Sequence, residues 1–167
     1  MSQLPADPGP HLIVSADGAA RGNPGPAGIG AVVTTPRGRV LAEVAEGIGI
    51  ATNNVAEYRA ALAGLQRARD LGASRVTFRS DSRLLIEQLA GRYRVKNPTL
   101  QRLHGEVGDV LREIPEVDLV HVPRAENVHA DRLANVGVDA WLAGAGRRWR
   151  RSRPNPTLFD PQPPDRP

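Results

Sequence analysis

Residues 11–35, HLIVSADGAARGNPGPAGIGAVVTT, decide the fold. They open with the apolar run HLIVSAD, which Gly18 follows, and turn residues then fill 18–28 before a second apolar run at 29–35. Short runs rich in β-branched residues and bounded by glycine or proline are typical of strands. The sequence therefore predicts a strand over 11–17, turns over 18–28 and a second strand over 29–35.

The sequence that follows alternates strand and helix signals. Pro36-Arg37-Gly38 predicts a hairpin into a third strand, and Thr52-Asn53-Asn54 then supplies the N-cap of a helix. Further on, we expect a strand over 75–80, a cap at Asp81-Ser82 with a short helix to 90–91, a helix beginning at Pro98 and a strand over 117–122. A last helix is expected to be capped by Asn127 and to end at 142. The order β-β-β-α-β-α-α-β-α predicts an α/β fold, a mixed five-stranded sheet with helices on its faces.

Composition excludes several classes of protein. The chain has no cysteine, which rules out a disulfide scaffold, a thiolate zinc site and a cysteine nucleophile. Aromatic residues make up only 4%, which argues against a stacking platform for single-stranded nucleic acid. No apolar run approaches the roughly 20 residues that span a bilayer, and no signal peptide is recognisable. We therefore expect a soluble, cytoplasmic protein without a membrane partner.

The two ends of the chain differ from its middle. Nine of the fifteen prolines lie in residues 1–10 and 144–167, which are predicted to be disordered tails. Six of the 22 basic residues but only two of the 18 acidic ones fall in 144–167, so residues 1–143 carry 16 of each and the C-terminal segment holds the whole net charge of +4. This segment could bind polyanions, or link the domain to a fused or tethered partner domain.

Four acidic residues stand near the ends of predicted elements. Asp17 ends the first strand, and Asp81 follows the strand over 75–80. If these strands are parallel neighbours, both carboxylates emerge at the C-terminal edge of the sheet, where α/β proteins usually bind ligands. Glu57 and Asp131 lie near the starts of two predicted helices.

Carboxylates that gather at one edge repel each other unless cations intervene. Two unit charges about 4 Å apart repel by about 4 kcal/mol at an effective dielectric constant of 20. Oxygen ligands favour Mg²⁺ or Mn²⁺ over zinc, and a pair of such ions suits in-line displacement at phosphorus. The alternative is that each acid only caps a helix or ends a strand, bonded to nearby amides.

Four short motifs resemble the signatures of type 1 ribonucleases H and occur in that family's order. They are Asp17-Gly18-Ala19 with GNPGPAG at 22–28, TNNVAE at 52–57, Ser80-Asp81-Ser82, and NVHAD at 127–131 followed by RLA. Each motif alone is short, but all four lie in register. The resemblance implies a ribonuclease H domain over 11–143 with strand order 3-2-1-4-5, closest to the short forms that lack a basic protrusion.

The resemblance also implies an activity. It would be a metal-dependent endonuclease that hydrolyses the RNA strand of RNA–DNA hybrids and leaves 5′-phosphomonoesters. Asp17, Glu57, Asp81 and Asp131 would be its catalytic, metal-binding carboxylates, holding two Mg²⁺ ions with Mn²⁺ as a substitute. The alternatives are a catalytically silent hybrid-binding module and another nuclease of the same fold. A monomer is expected.

A histidine is a fifth catalytic candidate. The stretch from His121 to Asp131 aligns with the family without a gap, and there a histidine at this spacing assists proton transfer or product release. Imidazole suits such proton transfer near neutral pH. The alternative is that His121 is a half-buried residue of the strand VDLVHV. The remaining histidines, His11, His104 and His129, are expected to be structural or exposed.

Glycine, asparagine and arginine residues provide the candidate substrate contacts. Glycines without side chains let backbone amides approach the RNA strand. Asparagines donate and accept, as contacts to base edges and 2′-hydroxyls require, although those at 53 and 54 could instead only cap a helix. An arginine follows Asp81-Ser82 where the family often has glutamine, and its role is open. The predicted substrate-binding residues are Gly18, Gly22, Asn23, Asn53, Asn54 and Arg83.

One departure from the family concerns the region before the helix that is predicted to begin at Pro98. Some members carry a lysine-rich protrusion there, whereas this chain has only Arg92, Arg94 and Lys96. Few phosphate contacts predict a modest affinity for hybrids with a shallow dependence on salt.

Overall fold

The computed structural model describes residues 8–144. They form five strands, four helices and one 3₁₀ turn. In chain order these are β1 (His11–Ala20), β2 (Gly25–Thr34), β3 (Val40–Ala51), α1 (Asn53–Asp70), β4 (Arg75–Ser80), α2 (Arg83–Leu89), α3 (Pro98–Arg112), β5 (Glu116–His121), the turn Arg124–Glu126 and α4 (Val128–Ala143). The predicted order of elements is therefore confirmed.

The strands form one mixed sheet in the order β3-β2-β1-β4-β5. β1 pairs antiparallel with β2, which pairs antiparallel with β3, while β1–β4 and β4–β5 are parallel. Parallel pairs need a crossover, and α1 supplies it between β3 and β4. The fold class and the strand order are both as expected.

β1 is longer than the sequence predicts. Gly18 does not end it, because the residues from Asp17 to Ala20 continue to pair with β2, from Gly30 to Ala27. Gly18 serves a different purpose: a Cβ atom there would lie 2.3 Å from the backbone of Ala56 and Glu57 in α1. Glycine at this position therefore allows α1 to approach the centre of the sheet.

Helices cover both faces of the sheet. A Cβ atom built on Gly64 of α1 would touch Ala31 of β2, whereas one built on the neighbouring Gly30 would clash with α4. Successive strand residues point to opposite faces, so α1 and α4 lie on opposite sides. The larger core lies between the sheet, α1 and α3, and includes Leu12, Val14, Leu65, Phe78, Leu103 and Val107.

Hydroxyl or amide side chains begin three of the helices. Thr52, Ser82 and Asn97 cap α1, α2 and α3, each accepting a hydrogen bond from the amide three residues on. Of the three residues predicted to cap α1, Thr52-Asn53-Asn54, Thr52 is therefore the one that does so. Asn127 occupies the predicted N-cap position of α4, but its side chain makes no hydrogen bond to that helix.

The predicted tails lie largely outside the described residues. Within them, Gly9 and Pro10 precede β1, and their carbonyl oxygens accept hydrogen bonds from the hydroxyl and the amide of Ser74. At the other end, Gly144 follows α4. The division of the chain at residues 10 and 143 stays a prediction, as does a cytoplasmic location. No helix within 8–144 combines the length and apolarity needed to cross a membrane.

Candidate active site

Three acidic side chains from three elements converge at one edge of the sheet. Asp17 lies on β1, Asp81 directly follows β4, and Glu57 lies in the second turn of α1. One carboxylate oxygen from each lies within 4.8 Å of the others. Because β1 and β4 are parallel neighbours, Asp17 and Asp81 lie at the same edge of the sheet. The close packing of α1 on Gly18 brings the third acid, Glu57, to the same place.

These carboxylates line a small polar pocket of about 170 Å³. Asp131, in the first turn of α4, lines the same pocket, so all four acids proposed from the sequence meet there. The remaining lining residues are Gly18, Ala19, Ala20, Asn53 and Arg124.

Burial and mutual repulsion disfavour ionisation of two of these acids. Asp17 and Glu57 are only 6% and 7% exposed. Burial, then the charge of Asp81, and then the neighbouring Asp131 together raise the pKa of Asp17 to about 7. Burial and the charges of Asp17 and Asp81 raise the pKa of Glu57 to about 9. The protein alone therefore does not compensate the negative charge that these groups carry when ionised.

The donor set suits a hard divalent cation. The Glu57 carboxylate accepts a bond from the backbone of Gly18, but its buried Oε2 atom has no hydrogen-bond partner. Buried polar atoms are normally satisfied, so an orphaned carboxylate oxygen facing two others is suited to a ligand. Oxygen-only donors favour Mg²⁺ or Mn²⁺. Nor does the alternative of simple capping hold for Asp81, because Ser82 caps α2.

The sequence did not single out Arg124, a cation at the rim of this pocket. Its Nε atom lies 3.7 Å from Oδ2 of Asp81, although its side chain is 91% exposed. It belongs to the 3₁₀ turn between β5 and α4. Only the tertiary structure shows that this turn reaches β4, so no pattern in the sequence could have identified the pair.

Asn127 joins α4 to the central strand beside the acidic pocket. Its side chain is buried, and Nδ2 donates to the carbonyl oxygen of Ala16, 3.0 Å away. Ala16 precedes Asp17, and Asn127 lies one turn before Asp131. The bond thus fixes the two acids relative to each other. This replaces the capping role that the sequence predicted.

Two of the predicted asparagines belong to a second polar pocket. Asn23 and Asn54 line a cavity of about 300 Å³ with Thr52, Val55, Asn97, Thr99 and Leu100. Oδ1 of Asn23 accepts from the backbone amide of Asn53, 3.0 Å away. Since Thr52 caps α1, neither Asn53 nor Asn54 is needed as its cap.

The second pocket faces the N-termini of α1 and α3. Free amides and the helix dipole favour anions at such ends. Its residues come from distant parts of the chain, so the sequence indicated where each helix begins, at Thr52 and at Pro98, but not that the two beginnings lie together.

Three predicted residues do not line either pocket. His121 ends β5 opposite Ser80 and is exposed, not half-buried. Its positive charge contributes to lowering the pKa of Glu87 in α2. Arg83 is exposed at the first position of α2, and its charge also contributes to lowering the pKa of Glu87. Gly22 lies in the β1–β2 loop with φ of +100°. Their roles stay predictions.

The other histidines make structural contacts. The ring of His11 bonds to the Thr77 hydroxyl, that of His104 to the Gln88 carbonyl oxygen, and that of His129 to Glu43.

A mixed sheet in this order with clustered carboxylates at the end of its central strands defines a protein of the ribonuclease H-like class. A family model described as reverse transcriptase-like matches residues 15–137. The chain therefore belongs to this family, and its resemblance to type 1 ribonucleases H is confirmed.

Relatives of known sequence and structure agree with this assignment. The bifunctional protein Rv2228c of Mycobacterium tuberculosis is 48% identical over 114 residues, or 68% of this chain, and ribonuclease HI of Halobacterium salinarum is 41% identical over 118 residues, 71% of this chain and 59% of that protein. The chain spans only 31% of the length of Rv2228c.

Solved structures match over nearly their whole length. The N-terminal ribonuclease H domain of Rv2228c, 48% identical, superposes with a TM-score of 0.76 over 77% of this chain and 99% of that one. LC11-RNase H1 in complex with an RNA/DNA hybrid is 40% identical, with a TM-score of 0.75 over 78% of this chain and 99% of that one.

Proposed function

We propose that this chain is a divalent-metal-dependent endonuclease that hydrolyses the RNA strand of RNA–DNA hybrids and leaves 5′-phosphomonoesters. The observation that carries the proposal is the cluster of Asp17, Glu57 and Asp81, whose oxygens lie within 4.8 Å of one another in a site where burial raises two of their pKa values. The ribonuclease H relatives and a homologue bound to an RNA/DNA hybrid support this choice of substrate.

Four carboxylates would hold the metal. Asp17, Glu57 and Asp81 lie together, and Asp131 lines the same pocket from α4. Two divalent cations, Mg²⁺ or its substitute Mn²⁺, would supply an activated water and neutralise the charge that develops on the leaving 3′ oxygen. The protein's own part is to hold four anionic groups in place before the cations arrive, using the bonds from Gly18 and Asn127.

The residues around the carboxylates would select the substrate. Asn53 lines the acidic pocket, and Asn23 contacts its backbone, so amide groups flank the place where the RNA strand would lie. Such groups can donate to and accept from a 2′-hydroxyl, which distinguishes RNA from DNA. The neighbouring pocket, with its two helix N-termini, suits a backbone phosphate of the hybrid.

The remaining predictions of the sequence belong to the same proposal. His121 would assist proton transfer or product release from the end of β5, and Gly22 and Arg83 would contact the substrate. Residues 145–167, which lie outside the described part of the chain, would add cationic contacts or connect to a tethered domain. Rv2228c is a longer, bifunctional relative, which supports the second of these roles for the tail.

A cleavage assay tests the proposal. The purified protein is given end-labelled RNA–DNA hybrid, double-stranded RNA or DNA duplex, each with Mg²⁺, Mn²⁺ or a chelator. Cleavage of the RNA strand of the hybrid only, with metal only, is expected. Binding of the hybrid without cleavage under every condition would instead identify a silent binding module, and cleavage of DNA would identify another nuclease of this fold.

A further inference from the structure

Asp131 stands apart from the other three acids of the pocket. Asp17, Glu57 and Asp81 form the compact cluster, whereas Asp131 lines the same pocket from α4 and is not a member of that cluster in the described residues 8–144. It is half-buried, and it shares a hydrogen bond with Asp17. An acid that enters the pocket from α4, on the other face of the sheet from α1, needs supports of its own to keep one orientation.

The next turn of α4 supplies such a support. Nδ2 of Asn135 lies 3.4 Å from Oδ1 of Asp131 and 3.0 Å from its backbone oxygen, and donates to both. Side chains four residues apart on a helix share a face, and the later one leans back over the earlier one. The contact uses one of the roughly four lone-pair positions of the carboxylate and leaves the others for a cation.

An arginine from the β1–β2 loop sets the orientation of the Asn135 amide. Nη2 of Arg21 donates to Oδ1 of Asn135, 3.3 Å away. A guanidinium group only donates, so it requires the oxygen of the amide on its own side. The NH₂ group of Asn135 is thereby turned toward Asp131. Without Arg21, the amide is free to rotate and to present its oxygen to the carboxylate, which would repel it.

Arg21 is itself held by two further contacts. Its Nη1 atom lies 2.7 Å from Oδ1 of Asp139, which lies one turn beyond Asn135 on α4. Its backbone amide donates to the carbonyl oxygen of Pro26, 2.8 Å away, which closes the β1–β2 loop. Because Arg21 directly follows β1, these contacts tie the acid on α4 to the strand that carries Asp17.

Folding stability gives little reason for these contacts. The side chains of Arg21 and Asp139 are 42% and 67% exposed, and exposed ion pairs contribute little to stability. Nor are they needed to hold α4 on the sheet, since the backbone of that helix at Ala134 and Val138 already packs closely on Gly28 of β2. The contacts therefore act chiefly on the direction of side chains.

We propose that Asn135 and Arg21 are positioning residues for Asp131, Asn135 directly and Arg21 through Asn135, and that they hold this carboxylate ready for a divalent cation. The inference rests on the proposed function and adds to it two residues that touch neither the cation nor the substrate. Hydrogen-bond partners of metal ligands typically change metal affinity or activity by about 10- to 100-fold when they are removed.

The mobility of the Asn135 amide tests the role of Arg21 without metal and without catalysis. We would measure the ¹⁵N order parameter of its Nδ2 group in chelator for the unaltered protein, Arg21→Gln and Arg112→Gln. Arg112 pairs with Asp109 on the exposed side of α3 and is the matched control. The order parameter is expected to fall below about 0.6 in Arg21→Gln only. Equal values in the three proteins would overturn the role of Arg21.

Asn135→Leu removes the donor without adding charge and with little change in volume. We expect kcat to fall by about 10- to 100-fold and the Mg²⁺ concentration for half-maximal activity to rise. Hybrid Kd in chelator should stay within about twofold, because a positioning residue does not contact the substrate. An unchanged kcat would overturn the inference. So would a rise in Kd and KM with kcat unchanged, since that result would identify substrate contacts.

The double variant Arg21→Gln/Asn135→Leu tests whether Arg21 acts through Asn135. It should lose no more kcat than Asn135→Leu alone, because residues of one hydrogen-bonded chain are not additive. Losses of kcat that add would show that Arg21 acts by another route and would overturn that part of the inference.

Failure of the inference is distinguishable from failure of the proposed function. If the unaltered protein cleaves hybrid and Asn135→Leu cleaves it equally fast, the inference fails and the function stands. If the unaltered protein cleaves nothing, the function fails, and the order parameter of Asn135 still decides whether Arg21 orients it.

Discussion

Glu57 combines features that are costly in a protein without a ligand. Its carboxylate is 7% exposed, one of its oxygens is unpartnered, and Asp17 and Asp81 lie beside it. Burial of a charge is tolerated when the charge is paired or coordinates a metal. The same features that destabilise the ionised site therefore make it selective for a compact cation.

Replacing a central carboxylate by its amide should abolish cleavage and preserve substrate binding. We expect Asp17→Asn and Asp81→Asn each to lower kcat by about 10³-fold or more in Mg²⁺, since each removes a charged ligand without changing shape. Hybrid affinity in chelator should be equal to or tighter than that of the unaltered protein, because one negative charge is lost. Asp109→Asn on α3, an exposed acid remote from the pocket, is the control. Full activity of either site variant would refute the assignment.

The same carboxylates predict an inverse dependence of stability on pH. Folding raises the pKa of Asp17 to about 7 and of Glu57 to about 9, so between pH 4 and 9 the folded state binds more protons than the unfolded state. This contribution to stability is complete below about pH 4 and is lost as the pH rises through these two values.

Thermal unfolding in chelator should therefore show Tm falling from about pH 5 to about pH 9. Mg²⁺ should raise Tm more at the higher pH, where it replaces the protons. The double variant Asp17→Asn/Glu57→Gln should flatten the profile. If Tm still falls with pH in this variant, groups other than Asp17 and Glu57 cause the fall.

At the scale of elements, the contact between β1 and α1 determines where Glu57 lies. Gly18 leaves room for the α1 backbone, and its own backbone bonds to the Glu57 carboxylate. One residue thus provides both the approach of the helix and a bond to its acidic side chain.

Gly18→Ala should consequently damage both stability and catalysis. Its Cβ atom would lie 2.3 Å from the backbone of Ala56 and Glu57, so α1 must shift. We expect a loss of about 1–3 kcal/mol in the free energy of unfolding and of about 10²-fold in kcat/KM. Denaturant unfolding and the cleavage assay measure the two effects.

Gly105→Ala is the matched control for this substitution. Gly105 lies within α3, and a Cβ atom there meets nothing within 4 Å. The change should stabilise the protein by about 0.5–1 kcal/mol and leave activity unaltered, because alanine favours the helix. Equal effects of the two substitutions would show that the close approach at Gly18 is unimportant.

At the scale of the whole molecule, charge is distributed unevenly along the chain. Residues 1–143 carry no net charge, and the carboxylate site needs cations nearby to retain a polyanion. Arg94 and Lys96, both exposed between α2 and α3, are two candidates. The arginines between 147 and 153 offer five more, beyond the part of the chain that the structure describes.

Deleting residues 144–167 should weaken hybrid binding, more strongly at low salt. Each lost phosphate contact should make the slope of log Kd against log salt shallower by about 0.9. A shorter deletion of 154–167 keeps those five arginines and should bind nearly as well as the full chain. If both deletions leave the affinity unchanged, the segment serves only as a linker.

Much of this architecture could be predicted from local patterns. The apolar runs, the caps at 52–54 and 81–82, the proline at 98 and the crossover order indicated the mixed sheet. The ends of elements that depend on a partner strand could not be predicted in this way. β1 runs past Gly18 because β2 continues to pair with it. Likewise, the contact of Arg124 with Asp81 joins residues 43 positions apart, and no local pattern encodes it.

The sequence by itself determined the order of the elements and, through its resemblance to a family, singled out the four acids proposed here as metal ligands, because periodicity, capping and short motifs are properties of neighbouring residues. Only the tertiary structure decided which groups meet: the orphaned oxygen of Glu57, the link from Asn127 to Ala16, and the side-chain amides of Gln88 and Gln101 that bond to the segment between α2 and α3. The reason is that burial and long-range hydrogen bonds arise from the packing of distant segments, which gives a carboxylate its pKa and an arginine its exposure.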